Sequence, residues 1–462
     1  MKFKQYSFKE LLSNIVDNRG KTCPTADQGL PLIATNCINN KSLYPVFEKV
    51  RYVNVETYKN WFRGHPKPED IIFVCKGSPG RVAWVKDPVD FCIAQDMVSI
   101  RADRTKIDPK YLFALLRSDN VQQKISNMHV GSLIPHFKKG DFGNLYLDIP
   151  EDLEYQKMVG EIYFNFSMKI EQNNKINQTL ESIAQALFKS WFIDFDPVRA
   201  KIAAKQEGND PELAAMCAIS GKSETELEQM AEDDFAELQA TAALFPDELV
   251  ESELGEIPKG WEVSTVGDQI QTAGGATPST KNVEFWDNGT HHWTTPKDLS
   301  NLTDKILLNT DRKITNAGLK KISSGLLPKD TVLMSSRAPV GYLALAKIEV
   351  AINQGYIAIL PNTKYSAEYL IQWCEANMAE IKGRASGTTF QEISKKNFRE
   401  ISFVCPDDKV VVSYTKTVKT LYDEITSKAK ENQSLINLRD TLLPKLMSGE
   451  ISLNKNMGSI DD

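Results

Sequence analysis

Two stretches of the chain carry apolar residues in steps of three and four, residues 153–192 and residues 408–443. This spacing places the apolar side chains on one face of a helix and is typical of the seam of a coiled coil. The sequence therefore predicts two long helices. The residues predicted to form the seam and the subunit interface are Ile162, Phe166, Ile170, Leu180, Ile183 and Leu187 in the first stretch, and Leu421, Ile425, Leu435, Leu438 and Leu442 in the second.

Both apolar stripes are interrupted near their middle by polar residues. These are Asn173, Asn174 and Asn177 in the first stretch, and Lys428 and Asn432 in the second. One interpretation is a stretch of helix that is exposed to solvent. The other is a buried asparagine that fixes the register of two paired helices at some cost in stability. The sequence leaves both open.

The segments that precede the two helices show a different pattern. Residues 1–150 and 261–406 contain short apolar runs separated by turns of glycine, proline and asparagine, which is typical of strands. Residues 109–126 and 365–383 look helical. The strand-like runs are 71–75, 82–85, 91–100, 331–334, 342–345 and 350–360. We therefore assign the two globular segments to the α+β class.

The chain also repeats itself. Residues 131–152 match residues 387–408 without a gap at an offset of 256, and the helical stretches that follow match at an offset of 255. This repeat predicts two similar globular domains separated by two long antiparallel helices, a pseudo-two-fold arrangement. The predicted boundaries are 1–150 for the first globular domain, 151–195 for the first helix, 196–260 for a linker, 261–406 for the second globular domain, 407–449 for the second helix and 450–462 for a tail.

The net charge of −6 conceals an uneven distribution of charge along the chain. Residues 194–256 contain 17 acidic and 4 basic residues, so the rest of the chain carries a mild basic excess. The acidic segment lacks strand alternation, and we interpret it as a solvated linker with some helix. The basic remainder is compatible with a polyanionic partner but does not require one.

The sequence lacks the motifs of common catalytic sites. It contains no G-x-x-x-x-G-K-[ST] loop for a nucleotide. The seven cysteines include no C-x-x-C pair, and the adjacent His291 and His292 would point to opposite faces of a strand, so neither set suggests a metal site. The apolar runs are too short to cross a bilayer, and the first residues do not resemble an export signal. We expect a non-catalytic, cytoplasmic protein with reduced thiols.

Polar and basic loops recur at corresponding places in the two globular segments. Side chains of these types can contact the phosphates and base edges of DNA, whereas any one loop taken alone is more often an ordinary solvated loop. The candidate DNA-binding residues are Arg19, Lys21, Lys76, Ser78, Arg81, Ser132, His136, Lys138 and Lys139 in the first segment, and Thr277, Ser279, Thr280, Lys281, Ser336, Arg337, Thr388, Thr389, Gln391, Lys395 and Lys396 in the second.

Four short segments carry a family resemblance over essentially the whole chain. They are residues 187–198 (LFKSWFIDFDPV), 240–248 (ATAALFPDE), 255–262 (GEIPKGWE) and 442–451 (LLPKLMSGEI). In this order, and together with the repeated plan of globule and helix, they resemble the specificity subunit of type I restriction–modification systems. The missing catalytic motifs agree with this resemblance, because the family's specificity subunit has no active site of its own.

The resemblance implies a DNA-recognition function. Each globular domain would read one half of a bipartite double-stranded DNA target, and the paired helices would set the spacing between the halves. The helices would also dock two methyltransferase subunits and, through them, motor–nuclease subunits. S-adenosylmethionine, ATP and Mg²⁺ would be bound by those partners and not by this chain. Residues 199–239 look longer and more acidic than the family's usual join, and individual base contacts cannot be transferred.

Two alternatives remain open at this stage. The first is a coiled-coil adaptor whose globular domains bind proteins. The second is a specificity subunit that serves a methyltransferase alone, in a system that never cleaves DNA. The methylation pattern of DNA would separate the adaptor from the other two.

Overall fold

Two helices of 40 residues each, Leu153–Phe192 and Asp408–Met447, follow the two globular segments as the apolar spacing predicts. The structure is a computed structural model that describes residues 1–18, 20, 22–93, 95–128, 135–387 and 391–451. The chain forms two compact units. Unit 1 comprises Met1–Asn173 and Asn432–Asp462, and unit 2 comprises Asn174–Glu431.

The globular domain of unit 1 contains three small sheets. A four-stranded antiparallel sheet has the order Leu12–Val16, Met97–Ala102, Ile71–Val74 and Val82–Trp84. A three-stranded sheet has the order Arg51–Val53, Leu30–Ile33 and Cys92–Ile93, and Phe3–Ser7 pairs with Tyr146–Pro150. The α-helices are Val55–Asn60, Pro109–Arg117 and Asp119–Asn127, and short 3-10 helices span Phe8–Leu11, Thr35–Cys37 and Lys139–Gly143.

The central strand Ile71–Val74 is buried on both faces because alternate side chains enter two different cores. Ile71 and Phe73 belong to the core beneath the helix Pro109–Arg117, whereas Ile72 and Val74 belong to a second cluster with Phe91. A continuous apolar run in the sequence is therefore a strand here and not a buried helix.

The globular domain of unit 2 repeats this topology. Its main sheet has the order Gln271–Gly274, Tyr356–Leu360, Thr331–Ser335, Leu343–Ala346 and Ile306–Leu307, and its second sheet has the order Arg312–Ile314, His291–Thr294 and Val350–Ile352. Glu262–Thr265 pairs with Ser402–Cys405, and Leu249–Ser252 forms a hairpin with Gly255–Pro258. The α-helices are Val266–Gln269, Pro296–Ser300, Asn316–Leu319, Ala367–Ala376, Met378–Gly383 and Lys395–Arg399, with a 3-10 helix at Val283–Phe285.

The sheet topologies confirm the internal repeat. In both domains the first and last strands pair with each other. In both, the middle strand of the three-stranded sheet also has a parallel partner, which is Cys92–Ile93 in unit 1 and Val350–Ile352 in unit 2. The α+β assignment agrees with the structure, and each of the six predicted runs contains strand residues. Four runs match one strand each, whereas 91–100 and 350–360 each contain two strands, which belong to different sheets. The two predicted domain helices are each divided in two, at Ser118 and at Asn377, because Ser118 is extended and Asn377 lies outside helical backbone angles.

The acidic segment differs from the expected solvated linker. It folds into four helices, Asp196–Glu207, Pro211–Ser220, Glu224–Leu227 and Glu232–Ala242. Small and apolar side chains such as Ala215, Met216 and Leu227 form a core among these helices. Lys201 is only 3 % exposed, and its Nζ donates to Glu212 Oε1 and to the Phe245 carbonyl, both at 2.8 Å. The acidic side chains cover the outside of this core. The acidic excess in the sequence therefore reflects the surface of a folded segment and not a solvated linker.

The two long helices pack antiparallel within each unit. In unit 1, the Tyr155 hydroxyl donates to the Leu446 carbonyl at 2.7 Å, and the Asn173 amide donates to Asn432 Oδ1 at 2.9 Å. In unit 2, Asn177 Nδ2 lies 3.3 Å from the Ile425 carbonyl. These asparagines are buried, which confirms the second of the two interpretations of the polar interruption. Their role in fixing the register stays a prediction.

The predicted seam is only partly correct. Ile170 and Ile425 are buried, and Ile162, Leu180, Leu187, Leu421 and Leu442 are half-buried against the cores. Phe166 and Leu435 are also half-buried. Ile183 and Leu438 are 43 % and 46 % exposed, so their assignment to a buried seam is wrong. The helices face a globular domain as well as each other, so positions outside the predicted seam are also buried, among them Tyr163, Phe164, Ala184 and Phe188.

No helix among the described residues is long and apolar enough to cross a membrane.

Candidate nucleic-acid interface

Backbone hydrogen bonds bring three separate loops of the first globular domain together. Gly77 donates its N–H to the Pro135 carbonyl at 3.0 Å, and Phe137 donates to the Cys75 carbonyl at 2.7 Å. Cys75 and Lys76 both donate to the Asp96 carbonyl, at 2.8 and 3.2 Å. The loop after the central strand, the segment before Lys139–Gly143 and the turn before Met97–Ala102 therefore meet at one place.

A cavity of about 520 Å³ opens where these loops meet. Four predicted residues, Lys76, His136, Lys138 and Lys139, line it. Of the remaining lining residues, two are acidic, and the Lys76 ammonium lies 3.9 Å from the carboxylate of one of them, Asp96. Lysine side chains at an open rim suit phosphates and the O6 and N7 acceptors of guanine.

The second globular domain builds the same junction from corresponding residues. Ser336 donates its N–H to the Gly355 carbonyl at 2.8 Å, and Ile393 donates to the Ser336 carbonyl at 3.0 Å. A cavity of about 450 Å³ lies beside this junction and is lined by Arg337 and Lys297 among others. Arg337 also lies 3.7 Å from Glu392, so its guanidinium already faces one carboxylate.

The structure places the other predicted residues of the first domain as follows. Ser78 and Arg81 belong to the same loop as Lys76 but do not line the cavity. Arg19, Lys21 and Ser132 lie outside the described residues. The residues that sequence reasoning missed are Asp17, Cys75 and Asp96, with Gly20 and Gly140 at the rim.

Of the predicted residues that the structure describes in the second domain, only Arg337 lines the cavity. Thr277 is exposed and donates its hydroxyl to Gln354 Oε1 at 2.5 Å, and Gln391 is exposed. Ser279, Thr280, Lys281, Lys395 and Lys396 are exposed away from it, and Thr388 and Thr389 lie outside the described residues. Ser336 is 3 % exposed with both backbone polar groups bonded, so its prediction as a DNA contact is wrong.

The missed residues of the second cavity include Thr295, Lys297, Ser300 and Asn353. Asn353 belongs to the Ile352–Gln354 stretch that repeats residues 93–95 of the first half. The repeat contained no signal for this position, because the counterpart of Asn353 in the first half is the apolar Ala94. Nothing in the sequence indicated Lys297, which depends on where the chain turns after His291–Thr294.

The described part of the chain contains no group of three or more His, Cys, Asp or Glu residues placed to hold a metal ion. His291 Nε2 lies 2.7 Å from Asn316 Oδ1, and His292 Nδ1 lies 3.1 Å from Thr310 Oγ1. Burial lowers the pKa of His292, so this imidazole is neutral over a wider pH range than an exposed one.

Comparison with known proteins gives one consistent family. A model described as type I restriction modification DNA specificity domain matches residues 14–182 and 258–436. The chain is 32 % identical to the type I restriction enzyme HindI specificity subunit of Haemophilus influenzae, over 90 % of this chain and 92 % of that protein. It is 36 % identical to the type I restriction enzyme MjaIX specificity subunit of Methanocaldococcus jannaschii, over 41 % of this chain and 44 % of that one.

A solved structure shows a related fold. The crystal structure of the type I restriction–modification system S subunit from M. genitalium superimposes with a TM-score of 0.51 at 16 % identity, covering 98 % of this chain and 97 % of that one. At this identity the likeness concerns the fold alone.

Proposed function

Because this chain belongs to the family of type I restriction–modification DNA specificity subunits, which are non-catalytic, we propose that each of its globular domains reads one half of a bipartite DNA target. The observation that carries this proposal is the repeated loop junction, which presents a cavity with basic side chains in both domains. The two junctions correspond through the internal repeat, but different side chains line their cavities. They would therefore read two different short DNA sequences.

The two cavities differ in the chemistry of their walls. The first has three lysines and a histidine, which favours acceptor-rich guanine edges and phosphates. The second combines an arginine and a lysine with Thr295, Ser300 and Asn353. Asparagine suits adenine and hydroxyls suit either base type. The half-sites read by the two domains therefore differ in sequence.

The helix pair is the proposed assembly surface. Ile176 and Ile183 of unit 2, and Ile436 and Leu438 of unit 1, are large apolar side chains exposed on the long helices. Ile176 and Ile183 are seven residues apart and therefore share one helix face, and exposed apolar side chains grouped on one face indicate a protein contact. We propose that two methyltransferase subunits dock there, carry S-adenosylmethionine, and bring motor–nuclease subunits with their ATP and Mg²⁺. The proposed compartment is the cytoplasm, where the seven free thiols stay reduced.

Single substitutions at the two cavities test the two-reader proposal. In the reconstituted methyltransferase complex, Lys76→Ala should relax one half of the methylated motif and Arg337→Ala the other half. Loss of a base-edge contact costs about 1–3 kcal/mol of discrimination at that position. Long-read methylome sequencing measures both halves at once. Lys222, an exposed lysine between the helices Pro211–Ser220 and Glu224–Leu227, supplies the matched control: Lys222→Ala should leave the motif unchanged. Equal relaxation of both halves by either variant would exclude two independent readers.

Lengthening both helices tests whether they set the spacing. Four residues inserted after Asn177 and after Asn432 add about 6 Å to each helix. Since DNA rises roughly 3.4 Å per base pair, the untouched spacer of the methylated motif should grow by about one or two base pairs while both half-sites stay the same. Binding should also weaken, because the insertion disturbs the helix seam. An unchanged spacer in the methylome would contradict the proposal.

A charge on the exposed apolar surface tests docking. Ile183→Asp should release the methyltransferase subunits without unfolding unit 2, since this side chain is not part of a core. Ser182→Asp places the same charge on the next exposed position and should leave assembly intact. Size-exclusion chromatography with multi-angle light scattering gives the mass of the complex. Assembly retained by Ile183→Asp would place the methyltransferase elsewhere.

A further inference from the structure

A second kind of cavity lies within unit 2, and Tyr342 lines both this cavity and the one beside the loop junction. It has a volume of about 350 Å³ and lies among the first long helix, the loop before Ile306–Leu307 and the domain helix Ala367–Ala376. Its polar lining residues include Asn177, Glu181, Asp304, Lys305 and Glu375. Neither the DNA-reading proposal nor the docking proposal uses these side chains.

The cavity carries more negative than positive charge. Lys305 Nζ donates to Glu181 Oε1 and to Glu375 Oε2, both at 2.8 Å, so its single charge is shared by two carboxylates. Asp304 supplies a third carboxylate, and no ion pair joins it to any residue that the structure describes. Three carboxylates therefore face one ammonium group.

Glu181 is held firmly in place. The Tyr422 hydroxyl donates to its Oε2 at 2.8 Å, and Gln372 Nε2 lies 3.2 Å from its Oε1. Its negative charge thus belongs to an ordered network and cannot turn away to solvent. Burial raises the pKa of the Asp304 carboxyl, and the negative charge of Glu181 acts in the same direction.

Asn177 presents an unused acceptor to the same cavity. Its Nδ2 lies 3.3 Å from Asp304 Oδ2 and 3.3 Å from the Ile425 carbonyl. Because both of these neighbours are acceptors, the nitrogen has to face them and the oxygen cannot be exchanged with it. Asn177 is 2 % exposed, and its Oδ1 has no hydrogen-bond partner among the described residues. Buried acceptors normally have a donor.

We propose that this cavity binds one alkylguanidinium or alkylammonium group. The cationic head would donate to the Asp304 carboxylate and to Asn177 Oδ1, which satisfies the orphaned acceptor and offsets the excess negative charge. The alkyl stem would pack on the apolar wall formed by Leu302, Leu343 and Ile425. An organic cation fits better than a metal ion, since no cluster of metal-ligand type occurs in the described ranges. The group can come from a free polyamine or from an arginine or lysine of a bound subunit.

Calorimetric titration of the full-length chain with n-propylguanidinium chloride tests the proposal. Saturable binding at one site is expected at constant ionic strength. N-propylurea has a similar shape and no charge and should not bind. Asp304→Asn should weaken n-propylguanidinium binding about tenfold or more, the loss expected for one charge-assisted hydrogen bond. Asp330→Asn is the matched control, because Asp330 pairs with Lys347 outside the cavity and should leave the affinity unchanged.

Three results would overturn the proposal: no saturable binding, equal binding of N-propylurea, or equal binding to the Asp304→Asn variant. Circular dichroism of each variant checks that it is folded, and Asn177→Leu gives an independent measurement should Asp304→Asn not fold. Once binding is established, titration of the complex with methyltransferase identifies the source. If the complex no longer binds n-propylguanidinium, a side chain of the partner occupies the cavity. If the complex still binds it, the natural ligand is a free amine. The titration with n-propylguanidinium uses the chain without DNA or partners, so its result does not depend on the proposed DNA reading.

Discussion

Replacing Gly160 by alanine is expected to destabilise unit 1 by about 2 kcal/mol, although alanine favours a helix by about 1 kcal/mol over glycine. A Cβ at this position would lie 2.5 Å from the Tyr111 backbone nitrogen and 3.0 Å from Asp108 Oδ1. Asp108 Oδ1 caps the helix Pro109–Arg117 by accepting from Lys110 and Tyr111. The methyl group would push this cap away, and overpacking and a lost cap each cost about 1–3 kcal/mol.

The second domain supplies the control for Gly160. Thr415 stands at the repeat-equivalent position, and its Oγ1 lies 3.4 Å from the Oγ of Ser366, which caps Ala367–Ala376. A side chain is already accommodated there, so Thr415→Ala should change stability by less than about 0.5 kcal/mol. Hydrogen exchange of the two capped helices measures both effects in one experiment. Equal protection loss in both variants would show that the close approach at Gly160 does not matter.

Replacing Arg117 by leucine is expected to destabilise the first globular domain by about 3 kcal/mol. The side chain is buried, and its Nη2 donates to the carbonyls of Ser42, Val82 and Asn39. Its guanidinium also lies 4.4 Å from the Phe113 ring centre. Leucine would leave these carbonyls without their donor, and an unsatisfied buried polar group costs about 1–3 kcal/mol. Chemical denaturation measures the loss.

Arg104 provides the comparison for Arg117 within the same domain. It is an exposed arginine whose ion pair with Glu69 is also exposed. Such pairs contribute about 0–1 kcal/mol, so Arg104→Leu should hardly shift the denaturation midpoint. If the two substitutions shifted it equally, burial of Arg117 would not be the source of its effect. Burial lowers the pKa of Arg117, which is consistent with a guanidinium removed from water.

Arg117 also shows why the charge composition alone could not establish a polyanionic partner. In the sequence Arg117 counts among the basic residues of the remainder, yet its guanidinium is buried and donates to loop carbonyls inside the domain. Lys305, which also belongs to the remainder, is likewise engaged in an internal pair. The basic excess available at the surface is therefore smaller than the sequence suggests, and the local grouping at the cavity with Lys76, Lys138 and Lys139 is more informative than the total.

Periodicity predicted the long helices well because every turn repeats the same signal. It placed the buried face less accurately, as Tyr163 and Phe164 show. Their rings pack on Phe113 and Trp84 of the globular domain at 6.1 and 5.0 Å. A helix that contacts a domain as well as another helix buries a wider arc than a two-helix seam. The spacing of residues along one helix contains no information about that second contact.

The candidate site was predictable only where the repeat marked it. Lys76, His136 and Arg337 were found because loops of similar composition recur at corresponding positions. Lys297 and Asp96 were missed because they reach the cavities through strand register, which forms only when distant segments pair. The burial of Ser336 has the same origin, since both of its backbone bonds go to residues far away in the sequence.

The packing of Tyr155 against Leu446 also dictates the order in which a ribosome can complete the two units. Leu443 and Leu446 belong to the core of unit 1, together with Phe8 and Tyr111. Unit 2 is one continuous segment, whereas unit 1 needs residues that are synthesised after it. At roughly 5–20 residues per second, translation of unit 2 takes about 13–50 s. During this time part of the core of the N-terminal domain stays uncovered. Unit 1 therefore begins to be synthesised first but completes its core last.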